Sequence, residues 1–126
     1  MEWKEILPRV DRALLKPEAT GEDIRRVVGG GIHCGGASVC TPPAYVQRAA
    51  EYAAGRVAIC TANGFANGLK AAPIKEAEAT HDVMAGAAEI DMAVNLGWVE
   101  DGLFDQGLAG IQGGEGRRTG RGPERR

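Results

Sequence analysis

Asp91 is the residue whose type and setting could do chemistry. It lies within Ala87-Ala88-Glu89-Ile90-Asp91-Met92-Ala93-Val94-Asn95-Leu96-Gly97, a run that reads as a strand. Side chains alternate across a strand, so Ile90, Met92, Val94 and Leu96 share one face and Glu89, Asp91, Ala93 and Asn95 the other. A strand flanked by helical patterns is normally sealed on both faces, and an ionised carboxylate removed from water is costly unless a partner or a site compensates it. Asp91 is therefore either half of a structural ion pair or a catalytic acid or base.

The soft ligands are few. Cys34, Cys40 and Cys60 are an odd number without a C-x-x-C spacing, and His33 and His81 are the only histidines. This pattern speaks against a zinc site and a disulfide framework, and for a reducing cytosol. Cys40 and Cys60 sit in strand-like runs and read as small buried hydrophobes. The cluster Gly29-Gly30-Gly31-Ile32-His33-Cys34-Gly35-Gly36 follows a helix and precedes a strand. Phosphate-cradling loops have the opposite order, so the cluster reads as a connector holding a solvated His33, while His81 reads as an ordinary mid-helix histidine.

The elements that must position Asp91 alternate. A helical turn at Trp3–Leu7 precedes a first strand within Val10–Leu15, closed by Lys16-Pro17. Thr20 with Asp23 three residues on predicts an N-cap, and Ile24, Val27 and Val28 an apolar stripe; the helix should fail at Gly29-Gly30-Gly31. Ala37–Cys40 is the second strand. Thr41-Pro42-Pro43 opens a helix with Val46, Ala49, Ala50 and Ala53 inward and Gly55 as its stop. Arg56–Asn63 is the third strand and Gly64–Gly68 a loop. A helix from near Pro73, with Ile74, Ala77, Met84 and Ala85 at helical spacing, ends at Gly86 before the strand of Asp91. A short helix with Leu103, Phe104 and Leu108 closes the series. Four βα units call for parallel strands with right-handed crossovers, in an open sheet or part of a barrel, and polar residues within the strands favour the barrel.

Composition bounds the rest. With 126 residues, 44% hydrophobic and 25% charged, the chain suffices for one aliphatic core, and no apolar run reaches the ~20 residues of a membrane span or the form of a signal peptide. The net charge of -2 hides an asymmetry, because Arg117, Arg118, Arg121, Arg125 and Arg126 crowd the end of the chain. From Gln112 onward no aliphatic or aromatic residue occurs, which predicts a domain over 1–111 and a disordered basic tail over 112–126. Nucleic-acid contact through that tail is disfavoured, since no aromatic residue accompanies the arginines.

Four strings carry a resemblance: Asp11-Arg12-Ala13-Leu14-Leu15-Lys16-Pro17, Ala37-Ser38-Val39-Cys40, Val57-Ala58-Ile59-Cys60-Thr61 followed by Gly64-Phe65, and Glu89-Ile90-Asp91-Met92. With Lys75, Glu78-Ala79 and Gly86-Ala87, they resemble deoxyribose-phosphate aldolase in order and spacing, from about residue 6 to about residue 106. The resemblance implies an α/β fold, the first four strands of a (β/α)8 TIM barrel, with functional groups toward the C-terminal strand ends. It also implies a cytoplasmic class I aldolase, a lyase of deoxyribonucleotide catabolism. Such an enzyme reversibly cleaves 2-deoxy-D-ribose 5-phosphate to acetaldehyde and D-glyceraldehyde 3-phosphate through a lysine Schiff base, with neither metal nor cofactor. In that setting Asp91 matches the catalytic proton donor and acceptor, and Asp11 and Cys40 match pocket residues. The expected partner is a small phosphorylated sugar, with homo-oligomer formation and no membrane.

Departures are visible. Arg12 and Ala13 replace the family's usual His-Thr, and Ala66-Asn67-Gly68 replaces a Pro-Leu-Gly-like loop. Both family lysines belong to later strands. Lys4, Lys16, Lys70 and Lys75 match neither, so the chain lacks the Schiff-base lysine and is expected to be inactive alone, or to act as a non-catalytic half barrel that self-associates. The change to Gly/Arg-rich sequence after Gln106 is the change expected of a premature end or a shifted reading frame. A half barrel leaves two open strand edges, with marginal stability or pairing of halves as the consequence.

Overall fold

Alternation sets the architecture. In the computed structural model, which describes residues 2–118 with side chains to Gly114, Val39 and Ile59 are buried against helices while Cys40 and Cys60, one residue along, point to the opposite face. The strands are β1 (Asp11–Ala13), β2 (Ser38–Thr41), β3 (Ala58–Asn63) and β4 (Glu89–Met92), in the order β1-β2-β3-β4. All three pairings are parallel, with Ala13 beside Cys40, Cys40 beside Cys60 and Ala62 beside Asp91. Consecutive parallel strands with intervening helices are the expected partial barrel.

The helices are α1 (Trp3–Ile6), α2 (Gly21–Cys34), α3 (Val46–Ala53), α4 (Ala72–Ala85), α5 (Leu96–Glu100) and α6 (Phe104–Arg118), with 3-10 turns at Leu7–Arg9 and Pro43–Tyr45. Among the described residues, none is long and apolar enough to cross a membrane. Thr20 caps α2 as expected: its hydroxyl accepts from Asp23 N at 3.3 Å while the Asp23 carboxylate accepts from Thr20 N at 2.9 Å. Ile24, Val27 and Val28 of α2, Val46, Ala49 and Ala53 of α3, and Val39 and Ile59 form the core.

Four expectations are corrected. First, α2 does not stop at its glycine triplet but runs through it to Cys34, and Gly35 ends it at φ 64°. A Cβ at Gly31 would collide with Val39 Cγ2, so the small residue lets helix and sheet approach, and packing outweighs helix propensity. Second, the buried face of α4 is Lys75, Ala79 and Asp82, whereas Ile74 and Met84 are exposed. Third, the strand of Asp91 ends at Met92: Asn95 accepts from Trp98 N at 3.2 Å and caps α5, and Leu96 is exposed within that helix. Fourth, His33 occupies the last turn of α2 rather than a loop.

Helix α6 extends past the expected boundary at Ile111, as far as Arg118. A Cβ at Gly113 would lie 2.6 Å from Glu76 Oε1 and one at Gly114 2.6 Å from Met92 Cε, so bare glycines bring α6 against α4 and β4. The remainder of the expected disordered tail, 119–126, lies outside the described residues.

Candidate functional site

The face turned away from the helices gathers the chemistry. Residues paired across neighbouring parallel strands share a face, so the registers put Asp11 and Ser38, then Cys40 and Cys60, then Ala62 and Asp91, on one concave surface. Side-chain ligand atoms of Asp11, Cys40, Cys60 and Asp91 all lie within 4.8 Å of one another. All three residues singled out from the sequence, Asp91, Asp11 and Cys40, are thus brought together.

Burial divides the four. Cys40 and Cys60 are buried, at 2% and 0% exposure, while both carboxylates are exposed. The Asp11 carboxylate accepts a hydrogen bond from the Ser38 hydroxyl at 2.6 Å, which fixes it over the start of β2. Among the described residues no lysine, arginine or histidine forms an ion pair with Asp11 or Asp91, so the structural ion pair that the sequence left open for Asp91 does not form there. A hydrogen bond with Cys40, then burial, then the negative groups at Cys40, Asp91 and Asp11 push the Cys60 thiol far up. Cys60 therefore stays a neutral thiol at neutral pH, and with Cys40 it forms the floor of the site rather than a nucleophile.

Cys60 was not singled out for chemistry by its sequence. Its run looks like any buried strand, and only the register, which sets it directly beside Cys40, reveals its place. Ser38 was missed for the same reason.

A second polar assembly braces the strand ends. The Glu78 carboxylate accepts from Gly64 N at 2.7 Å and from Lys70 Nζ at 2.6 Å; Lys75 Nζ donates to Ala93 O at 2.8 Å; Asn63 Nδ2 donates to Lys75 O at 2.8 Å. Together these bonds pin the β3–α4 loop and α4 to the exit of β4. Burial pushes the Lys75 ammonium down, partly offset by Glu78. Lys70 and Lys75 are thereby committed to structural bonds. Beside the assembly, a cleft of about 460 Å³ opens between Lys16, Pro42, Tyr45, Ala62, Phe65 and Lys70, at the C-terminal strand ends where barrels build their sites.

No protein-family model matches the chain. Curated relatives do: deoxyribose-phosphate aldolases of Streptococcus pyogenes, among them those of serotype M5 (strain Manfredo) and serotype M18, are 43% identical over 105 residues, covering 83% of this chain and 47% of the relative. Among solved structures, a candidate deoxyribose-phosphate aldolase from Coccidioides immitis superposes with a TM-score of 0.89 at 28% identity, over 94% of this chain and 47% of that one. The tetrameric deoxyribose phosphate aldolase from Aeropyrum pernix gives a TM-score of 0.80 at 25% identity, over 91% of this chain and 50% of that one. In sequence and in fold, this chain belongs with the deoxyribose-phosphate aldolases, and it spans about half the length of those it matches.

Proposed function

We propose that this chain carries the proton-transfer half of a deoxyribose-phosphate aldolase site. The observation behind the proposal is the convergence of Asp91 with Asp11 over a floor of two buried cysteines, on the concave face of four consecutive parallel strands. The substrate is 2-deoxy-D-ribose 5-phosphate and the compartment the cytosol, in keeping with three free cysteines. A lysine amine condenses with the substrate aldehyde, losing water to give an iminium. The bond between carbons 2 and 3 then breaks, its electron pair moving toward the iminium nitrogen while the carbon-3 hydroxyl gives up its proton. Asp91 is the group placed to accept that proton, directly or through water, and to return one as the second fragment leaves. Asp11, held by Ser38, keeps a second carboxylate beside it, and the cysteines line the pocket.

The nucleophile must come from elsewhere. All four lysines of this chain, Lys4, Lys16, Lys70 and Lys75, stand outside the strands. Borohydride trapping with deoxyribose 5-phosphate, followed by mass measurement, tests the assignment. The expected result is no adduct on the 126-residue chain and a lysine adduct on a version completed with a second half barrel. A specific adduct on the isolated chain would overturn it.

A second reading has its own support. Among the described residues β1 and β4 are unpaired sheet edges, and Leu69, Phe104 and Met84 are 70%, 65% and 83% exposed. These features suit a half barrel that self-associates without catalysis. The Aeropyrum relative is described as a tetramer. A well-folded monomer in size-exclusion chromatography with light scattering would eliminate this reading.

A further inference from the structure

The spacing of cysteines and histidines along the chain argues against zinc, yet the fold assembles a ligand set that no spacing could show. One ligand comes from each strand: Asp11 from β1, Cys40 from β2, Cys60 from β3 and Asp91 from β4. Two buried thiols thus face two carboxylates that no cationic side chain compensates among the described residues. In a tetrahedral zinc site, bonds of about 2.0–2.3 Å set neighbouring ligand atoms roughly 3.3–3.8 Å apart. The four atoms already lie within 4.8 Å of one another, so rotation of the two exposed carboxylates closes the remaining gap. Ser38 holds Asp11 through Oδ1, which leaves Oδ2 free to coordinate while the hydroxyl orients the ligand from outside.

We infer that this cluster binds one thiophilic divalent cation of the zinc class, with Asp11, Cys40, Cys60 and Asp91 as its four ligands. Sulfur selects zinc, cobalt or cadmium over magnesium and calcium, which prefer all-oxygen shells. On binding, each thiol loses its proton to solvent and the resulting thiolate coordinates the metal, so two protons leave for each cation bound. Occupancy would tie all four strands together. It would also engage the Asp91 oxygen that the proposed aldolase chemistry needs, making the cation an inhibitor of that site. Only this last consequence rests on the proposed function; binding itself does not.

Cobalt(II) titration of the 126-residue chain in a phosphine reductant tests the inference without substrate. The expected result is one equivalent bound, a thiolate-to-cobalt charge-transfer band, displacement by zinc and no displacement by magnesium. Cys60→Ser should abolish the band. Asp91→Asn, at an exposed position where folding is spared and circular dichroism can verify it, should weaken binding by at least the roughly 10- to 100-fold that loss of an outer-shell partner costs. Cys34→Ser, which alters the exposed third cysteine, should change nothing. Absence of the band in a folded chain, or a band indifferent to Cys60→Ser and Asp91→Asn, would overturn the inference. Either failure would leave the borohydride experiment to decide the aldolase reading separately.

Discussion

The two faces of one sheet carry opposite chemistry on neighbouring residues. On the helix-covered face, Val39 and Ile59 meet Ile24, Val28 and Val46 in an apolar core; on the concave face, Cys40 and Cys60 lie under the carboxylates of Asp11 and Asp91. The first face holds the fold together and the second is free to hold groups that stability alone would not choose. A single residue's shift in register would exchange them, which is why the β1–β2 pair is pinned at both ends, by Ala37 N on Val10 O at 3.0 Å before the strands and by Leu14 N on Cys40 O at 3.0 Å after β1.

The division predicts where substitutions register. On the covered face, Ile24→Ala should cost about 2–5 kcal/mol, because a fully buried side chain leaves a cavity. Chemical denaturation measures this, and a loss under 1 kcal/mol would mean the core is looser than described.

Within α2 the glycines sharpen the point. Gly31→Ala meets Val39 and should destabilise by about 1–3 kcal/mol despite the better helix former, whereas Gly29→Ala has open space and should stabilise by up to ~1 kcal/mol. Melting temperatures moving in the same direction for both would contradict the close helix-to-sheet approach.

The smallest effect concerns Asp82, which is fully buried with Oδ2 unpartnered and only a 3.4 Å contact from His81 on Oδ1. Burial pushes its carboxyl up, against a smaller downward pull from the His81 hydrogen bond. The folded chain therefore holds that proton more tightly than the unfolded chain. The resulting stability is fully present below the unfolded carboxylate range and is lost as pH rises through the folded value. Asp82→Asn stays neutral throughout, so it should raise stability by about 1 kcal/mol at neutral pH and by little in acid. Equal effects at both pH values, from melting curves, would show that charge is not the cause.

These contrasts also explain what could be read in advance. Four βα units, the Thr20 cap and the proline-led entry to α3 follow from local signals, and local signals survive folding. The buried face of α4 did not follow, because Lys75 is held by bonds from the β3 and β4 ends rather than by the helix's own apolar pattern. The continuation of α2 through its glycines depended on Val39 from another element. At the site, Asp91, Asp11 and Cys40 could be marked because their strings resemble a family. Cys60 and Ser38 could not, since their importance arises from register alone.

The central claim is that the concave face is half of an aldolase site in which Asp91 moves protons. Its most direct test is the retro-aldol rate on 2-deoxy-D-ribose 5-phosphate of a chimera that joins residues 1–106 to the remaining half of the Streptococcus pyogenes relative, measured with and without Asp91→Asn. The account predicts an active chimera slowed by roughly 10²-fold or more, with stability changed by less than about 0.5 kcal/mol. A folded chimera whose rate is unaffected by the substitution would contradict it.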